Sequence, residues 1–404
     1  MSPCSTPRRR PATTRARDAS SSACPRACPA GSSGGRRLVR RRAAGILLVW
    51  RAAAGGAARR GGHVVGDAAV GAATPDAGAP PPESVSALAA AAAAIRENVS
   101  QVIVGAEEPL QLLLVALLAR GHVLLEDVPG TGKTTAARAF ARSIGADFHR
   151  IQCTPDLMPS DIVGVHYYSQ KSGEFEFREG PIMAPIVLVD EVNRATPRTQ
   201  SALLEAMEER TVTVEGETRV LPDPFLVLAT QNPIELEGTF PLPEAQLDRF
   251  LLRLRMGYPG ESDEVAVLRR FEGESPLDRL EPVVSASELT ALSASLPQVH
   301  VEDDVARYLV QVVRATREHA AFDLGGSPRA SLALFRALRA LAAIEGRDYV
   351  RPDDVKRLAP AVLSHRLVLS SQTQLRGRTA DDLIDEILRE LPVPVVDRSS
   401  SAAG

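Results

Sequence analysis

The residues best suited to chemistry lie in the run Val128, Pro129, Gly130, Thr131, Gly132, Lys133, Thr134 and Thr135. Its glycines let the main chain bend so that successive N–H groups face one concavity, which suits phosphate oxygens. Lys133 adds a compact ammonium of the kind that reaches β- and γ-phosphates, and Thr134 adds a hydroxyl for Mg²⁺. Downstream, Ile186-Val-Leu-Val-Asp190-Glu191 ends an apolar run in two carboxylates. Asp190 would hold Mg²⁺ through water, and Glu191 would orient and deprotonate an attacking water. Together the two motifs predict a Mg-ATP site with hydrolytic chemistry. One position departs from the pattern G-x-x-x-x-G-K-[ST], since Asp127 stands where it begins with glycine.

Such a site needs strands and helix ends to hold it. His122–Glu126 reads as a short apolar strand leading into the glycine-rich turn, with a helix from Thr134 to Ile144 behind. Further strands are expected at Phe148–Cys153, Ile186–Val189 and Phe225–Ala229. Their alternation with helices predicts an α/β fold, a parallel sheet with helices on both faces. Two hairpins interrupt it, Val165–Phe177 turning at Lys171-Ser172-Gly173 and Thr211–Leu221 turning at Glu215-Gly216. Ahead of the sheet, helices are expected over Val85–Val99 and Glu107–Arg120. From Gly260 onward strand signals vanish. Capping patterns at Ser285, Ser327-Pro328 and Thr379 open helices running to Leu296, about Leu341 and Leu391, with others at Val305–His319 and Pro352–Ser364. The expected organisation is a basic tail over 1–83, a nucleotide-binding domain over 84–258, an all-helical domain over 259–393 and a disordered end over 394–404.

The chain has 404 residues and a net charge of −3, which conceals two regions of opposite sign. Residues 1–80 hold 14 Arg against three Asp, a net of +11; residues 81–404 hold 33 basic and 47 acidic residues, a net of −14. The tail lacks periodicity and reads as disordered. It is either an electrostatic arm for nucleic acid or anionic lipid, or a tolerated extension; the absence of stacking aromatics apart from Trp50 favours the extension. No apolar run is long enough to span a membrane, and four scattered cysteines indicate neither a disulfide framework nor a zinc site. A cytoplasmic protein is expected. Only Lys133, Lys171 and Lys356 are lysine, so one of three lysines falls on the phosphate loop, where a slender ammonium is required.

With these motifs in place, the stretches HVLLEDVPGTGKT, LVDEVNRATPRTQSALLEAMEER, ATQNPIELEGTFPLPEAQLDRF and GSPRASLALFRALRALAAIEGRDYVRPDDV resemble the AAA+ ATPases, and within them the MoxR family. The resemblance covers residues from about 86 to 391. It implies an α/β AAA+ P-loop core followed by a helical lid. It also implies that Asn232 is sensor 1, beside the attacking water; that Arg249 is an arginine finger reaching a neighbouring subunit's nucleotide; and that Arg329 is sensor 2, carrying lid movement to the γ-phosphate. A local ion pair of Arg249 with Asp248 or Glu244 is the plain alternative. Ile103-Val104-Gly105 resembles the segment against adenine, although Ala106 stands where the family commonly has Gln. A trans-acting finger implies a ring of identical subunits, usually a hexamer. The hairpin at Ser172-Gly173 resembles a pore-facing insertion, where Tyr167, Tyr168, Phe175 and Phe177 either grip a client or simply pack across the strands.

The resemblance implies a chaperone-like remodeller that activates a partner or matures its metal or cofactor, often a partner with a von Willebrand factor A domain. A nucleic-acid motor is the competing reading, opposed by the acidic body. A nucleotide-gated scaffold with little turnover is opposed by the full set of Lys133, Asp190, Glu191 and Asn232.

Overall fold

The computed structural model describes residues 83–394 apart from Pro129, 233–237 and Phe271. The tail expected over 1–83 lies outside the described residues save for Glu83, which opens the first helix, and the expected role of Pro129 also falls outside them.

The strands are β1 (Val123–Glu126), β2 (Phe148–Gln152), β3 (Gly164–Ser169), β4 (Glu174–Glu179), β5 (Ile186–Asp190), β6 (Thr211–Val214), β7 (Glu217–Val220), β8 (Leu226–Gln231), β9 (Leu252–Leu254), β10 (Phe322–Leu324) and β11 (Val368–Leu369). The helices are α1 (Glu83–Ser100), α2 (Glu107–Leu118), α3 (Lys133–Ser143), α4 (Pro159–Val163), α5 (Pro197–Glu209), α6 (Glu244–Leu247), α7 (Glu261–Arg270), α8 (Ala286–Ser293), α9 (Asp303–Glu318), α10 (Pro328–Ile344), α11 (Pro352–Leu363), α12 (Ser371–Leu375) and α13 (Ala380–Glu390). Five strands form one parallel sheet in the order β2-β5-β8-β1-β9. Each connection that returns a strand parallel to its neighbour passes through helical structure, so both faces of the sheet are covered.

Strand alternation divides the core in two. Ile186, Leu188, Leu226 and Leu228 belong to one apolar cluster, whereas Val187, Val189, Val227 and Ala229 belong to the other, as side chains at successive strand positions must. The second cluster is closed by Leu203, Leu204 and Met207 of α5. The first contains α1, α2 and α3 and continues without interruption into the buried faces of α9, α10, α11 and α13.

Helices α4, α5, α6, α7 and α12 have no counterpart in the sequence reading, and three further points depart from it. Strand β9 was not foreseen, because three residues give too short a pattern to separate from the flanking loop; it lies beside β1 in register Val123 to Leu252. The region expected to be all-helical also contains the antiparallel pair β10 and β11, again two very short runs far apart in sequence. The helix opened by Ser285 stops at Ser293, and a 3₁₀ turn follows over Leu296–Gln298, where Pro297 can neither donate an N–H nor continue an α-helix. The caps themselves form: Ser285, Ser327 and Thr379 each accept from a main-chain N–H three residues on.

The two hairpins form as β3 with β4 and β6 with β7. One aromatic face of the first joins the second: Phe177 lies under the Arg219 guanidinium at 3.9 Å, and His166 Nδ1 is 3.2 Å from Glu215 Oε2. Tyr168 and Phe175 pair edge-on nearer the Lys171 turn and stay exposed, while Tyr167 donates to Glu176 from the other face. Among the described residues no helix is long and apolar enough to cross a membrane.

Candidate functional site

The phosphate loop joins β1 to α3. Gly130 and Gly132 adopt φ of 88° and 80°, a region costly for any residue with a Cβ, so glycine is needed for the bend itself. Gly132 is the N-cap of α3 and no side chain caps that helix. Its first N–H groups and the positive end of its dipole are thus left to an anion. Lys133 Nζ curls back to donate to the Val128 carbonyl at 2.6 Å and lies 3.3 Å from Thr131 Oγ1, which holds the ammonium over the loop. Thr134 and Thr135 follow in the first turn of α3. Asp127 is engaged too: Oδ1 accepts from Val128 N at 2.8 Å and Oδ2 from Met256 N and Gly257 N at 3.0 Å each. The residue that breaks the glycine pattern therefore ties the phosphate loop to the chain leaving β9. Gly105, expected beside adenine, has φ 69° and lies against the Asp263 carboxylate of α7.

Parallel pairing sets the other groups along the same edge. Asp190 ends β5 opposite Gln152 of β2, and Gln231 ends β8 opposite Glu126 of β1, with Asn232 next in the chain. Asp190 is buried, accepting from Arg150 Nε at 2.6 Å and Thr230 Oγ1 at 3.2 Å. Glu191 has φ 55° and ψ 51°, a left-handed conformation that costs a non-glycine residue about 1 kcal/mol or more. Its N–H donates to Thr230 Oγ1, and its Oε2 accepts from Gln152 Nε2 at 2.9 Å and Arg194 Nη1 at 3.0 Å. Beneath them, burial pushes the Cys153 thiol up to about 12, with Asp190 and Glu191 adding to the shift, so this cysteine stays neutral.

The site fits Mg-ATP on this donor set. An uncapped helix start with a hovering ammonium suits a polyphosphate, and Thr134 with a strand-end carboxylate suits a hard cation. Arg150, Gln152, Arg194 and Thr230 escaped the sequence reading. The first two could have been found from the strand order, because alternate residues of the strand beside β5 flank Asp190.

The two expected arginines lie elsewhere. Arg249 sits just before β9, two residues ahead of Leu251, whose N–H donates to the His122 carbonyl at the start of β1, whereas the phosphate loop follows the end of β1. Four strand residues separate these edges, about 13 Å at about 3.3 Å per residue. Arg249 pairs with neither Asp248 nor Glu244 but with Glu208, Nε to Oε2 at 3.0 Å. Arg329, expected to carry lid movement to the γ-phosphate, pairs with Oε1 of the same Glu208. Asp248 is taken by the buried Arg366, whose Nε donates to Oδ1 at 2.7 Å, and by Ser327. The catalytic candidates thus form two groups, Lys133 with Asp190, Glu191 and Asn232 at one edge, Arg249 with Arg329 at the other.

A phosphate loop and paired strand-end carboxylates on a five-stranded parallel sheet, continued by a helical lid, define the AAA+ ATPases. Residues 122–252 match the family described as ATPase family associated with various cellular activities, and residues 314–387 match the AAA lid domain. The chain is 43% identical over 309 residues to Chaperone MoxR1 of Mycobacterium tuberculosis, covering 74% of this chain and 81% of that protein. It is 32% identical over 322 residues to Protein MoxR of Methylorubrum extorquens, covering 74% and 93%, and 53% identical over 299 residues to the uncharacterized protein YeaC of Bacillus subtilis, covering 74% and 93%. A crystal structure described as a candidate ATPase from Cytophaga hutchinsonii superposes with a TM-score of 0.73 at 37% identity, covering 78% of this chain and 98% of that one. The chain belongs to the MoxR family of AAA+ ATPases.

Proposed function

We propose that the protein hydrolyses ATP as a ring, a hexamer by family resemblance, and couples turnover to remodelling, activation or metal and cofactor maturation of a client protein that carries a von Willebrand factor A domain. The observation that carries the reading is the single row of Lys133, Thr134, Asp190 and Glu191 along one sheet edge, with Arg249 and Arg329 at the opposite edge of the same subunit. Bound Mg²⁺ supplies charge neutralisation at the β- and γ-phosphates. Lys133 and the α3 N-terminus hold the triphosphate, while Thr134 and Asp190 hold the metal. Glu191, oriented by Gln152 and Arg194, takes the proton from the attacking water, and Asn232 helps place that water. Arg249 and Arg329, gathered on Glu208 away from the edge that carries the phosphate loop, would serve the neighbouring subunit, so that each active site is completed across an interface.

The name Chaperone MoxR1 for a relative supports a chaperone-like outcome. The exposed Tyr168 and Phe175 near the Lys171 turn would contact the client. Glu191→Gln tests the reading. It keeps ATP binding and slows phosphate release by about 10²-fold or more, and tagged Glu191→Gln protein held in ATP retains the client for identification by mass spectrometry. Wild-type phosphate release from the variant would remove Glu191 from the role of base.

A further inference from the structure

The carboxylate shared by the two arginines has no part in the reading above. Glu208 lies in the last turn of α5, one residue after Met207, whose carbonyl meets His122 Nε2 at 2.9 Å; that contact fixes the end of α5 to the start of β1. Arg249 reaches Glu208 from the segment before β9, and Arg329 reaches it from the first turn of α10 in the lid. Each oxygen of the carboxylate takes one guanidinium. The adjacent Asp248 cannot substitute, because Arg366 and Ser327 hold both its oxygens. Arg366 is itself close enough to Arg329 for their charges to interact unfavourably. Three guanidiniums therefore gather around two carboxylates, and two of them share Glu208.

Side chains as long as arginine lose reach and aim unless something holds them, and two guanidiniums brought together repel. Glu208 answers both needs. It leaves the pair accessible, with the Arg249 side chain 31% exposed and that of Arg329 51% exposed. We propose that Glu208 is a positioning residue that makes Arg249 and Arg329 one unit, so that the sheet and the lid of a subunit present both arginines together to the neighbour's phosphates. The proposal rests on the reading that both arginines act in trans. It places the effect of Glu208 in the neighbour's active site and not in its own.

The test uses the full chain. Glu208→Ala lowers turnover at saturating ATP by about tenfold or more, the scale on which misplaced catalytic groups act, with the KM for ATP within about twofold. Glu208→Gln, which keeps shape and removes charge, does the same, and serves if the alanine variant fails to fold. Mixing decides between positioning and general damage. In rings assembled from equal parts Glu208→Ala and Glu191→Gln, about a quarter of the interfaces join an intact phosphate site to an intact arginine unit. Activity then rises well above that of either variant alone. The matching mixture of Arg249→Ala with Glu191→Gln tests the trans reading by itself. Recovery in both mixtures supports the proposal. Recovery only with Arg249→Ala overturns the role of Glu208 and leaves the trans finger standing; recovery in neither overturns both. Wild-type turnover of Glu208→Ala would also overturn it.

Discussion

Asp127 carries more structure than its place in the motif suggests. Its carboxylate accepts three main-chain N–H groups, from Val128 in the phosphate loop and from Met256 and Gly257 beyond β9. Glycine, the residue common to the pattern, would leave those three donors to water and release the loop from the chain that leads into α7. Hydrogen bonds to a charged group are individually worth more than neutral ones, so Asp127→Gly should lower stability by about 1–3 kcal/mol and weaken ATP binding. Asp127→Asn, which keeps an acceptor, should recover part of both. Urea unfolding with titration of a fluorescent ATP analogue checks this, and an unchanged midpoint with unchanged affinity would show the three bonds to be idle. At this scale the sequence was legible where residue type and spacing are jointly restrictive, as for Lys133, Asp190 and Glu191. It was illegible for Glu208 and Thr230, whose types are common and whose partners lie 41 and 121 residues away for Glu208 and 40 away for Thr230.

At the scale of elements, His122 joins three of them. It precedes β1, its Nε2 faces the Met207 carbonyl in α5, and its Nδ1 accepts from Val227 N in β8 at 3.0 Å. This demands the neutral ring with hydrogen on Nε2, since a second ring hydrogen would face the Val227 N–H. Burial accordingly lowers its pKa from 6.5 to about 4. The unfolded chain then binds more protons than the folded one between those values, so stability is full above about pH 6.5 and falls as pH drops toward 4. The loss at the lower limit is about 3 kcal/mol at 1.36 kcal/mol per unit. Buried His365, also lowered well below its usual value by desolvation, acts with the same sign. Urea unfolding at pH 7, 6 and 5 should give falling midpoints, with a shallower fall in His122→Gln, although that variant starts lower. A parallel fall in both would assign the acid sensitivity elsewhere. The elements themselves were largely foreseen: four of the five sheet strands and both hairpins follow from apolar runs and turn residues. Among the strands, what escaped, β9 and the β10–β11 pair, is two or three residues long, and such strands exist only because a distant partner is already in place.

For the whole molecule, the continuity of the first apolar cluster decides how the lid can move. Leu338 and Leu341 of α10 share it with Leu88 and Ile95 of α1, Leu114 of α2 and Val123 of β1, all essentially inaccessible to solvent. A lid swinging freely on a hinge would have to open that cluster and expose apolar surface at about 25 cal/mol per Å². The cluster therefore couples lid to sheet, and in the proposed ring the strain of hydrolysis would fall on the interfaces between subunits, where the proposal puts Arg249 and Arg329. The same continuity makes the fold cooperative. Leu338→Ala, a truncation in α10 far along the chain from the sheet, should cost about 2–5 kcal/mol and lower one common calorimetric transition. Hydrogen exchange in β1 and β8 should accelerate together with exchange in α11. Separate transitions, with only the lid helices destabilised, would mean that the cluster is divisible and that a hinged lid is energetically open to the protein after all.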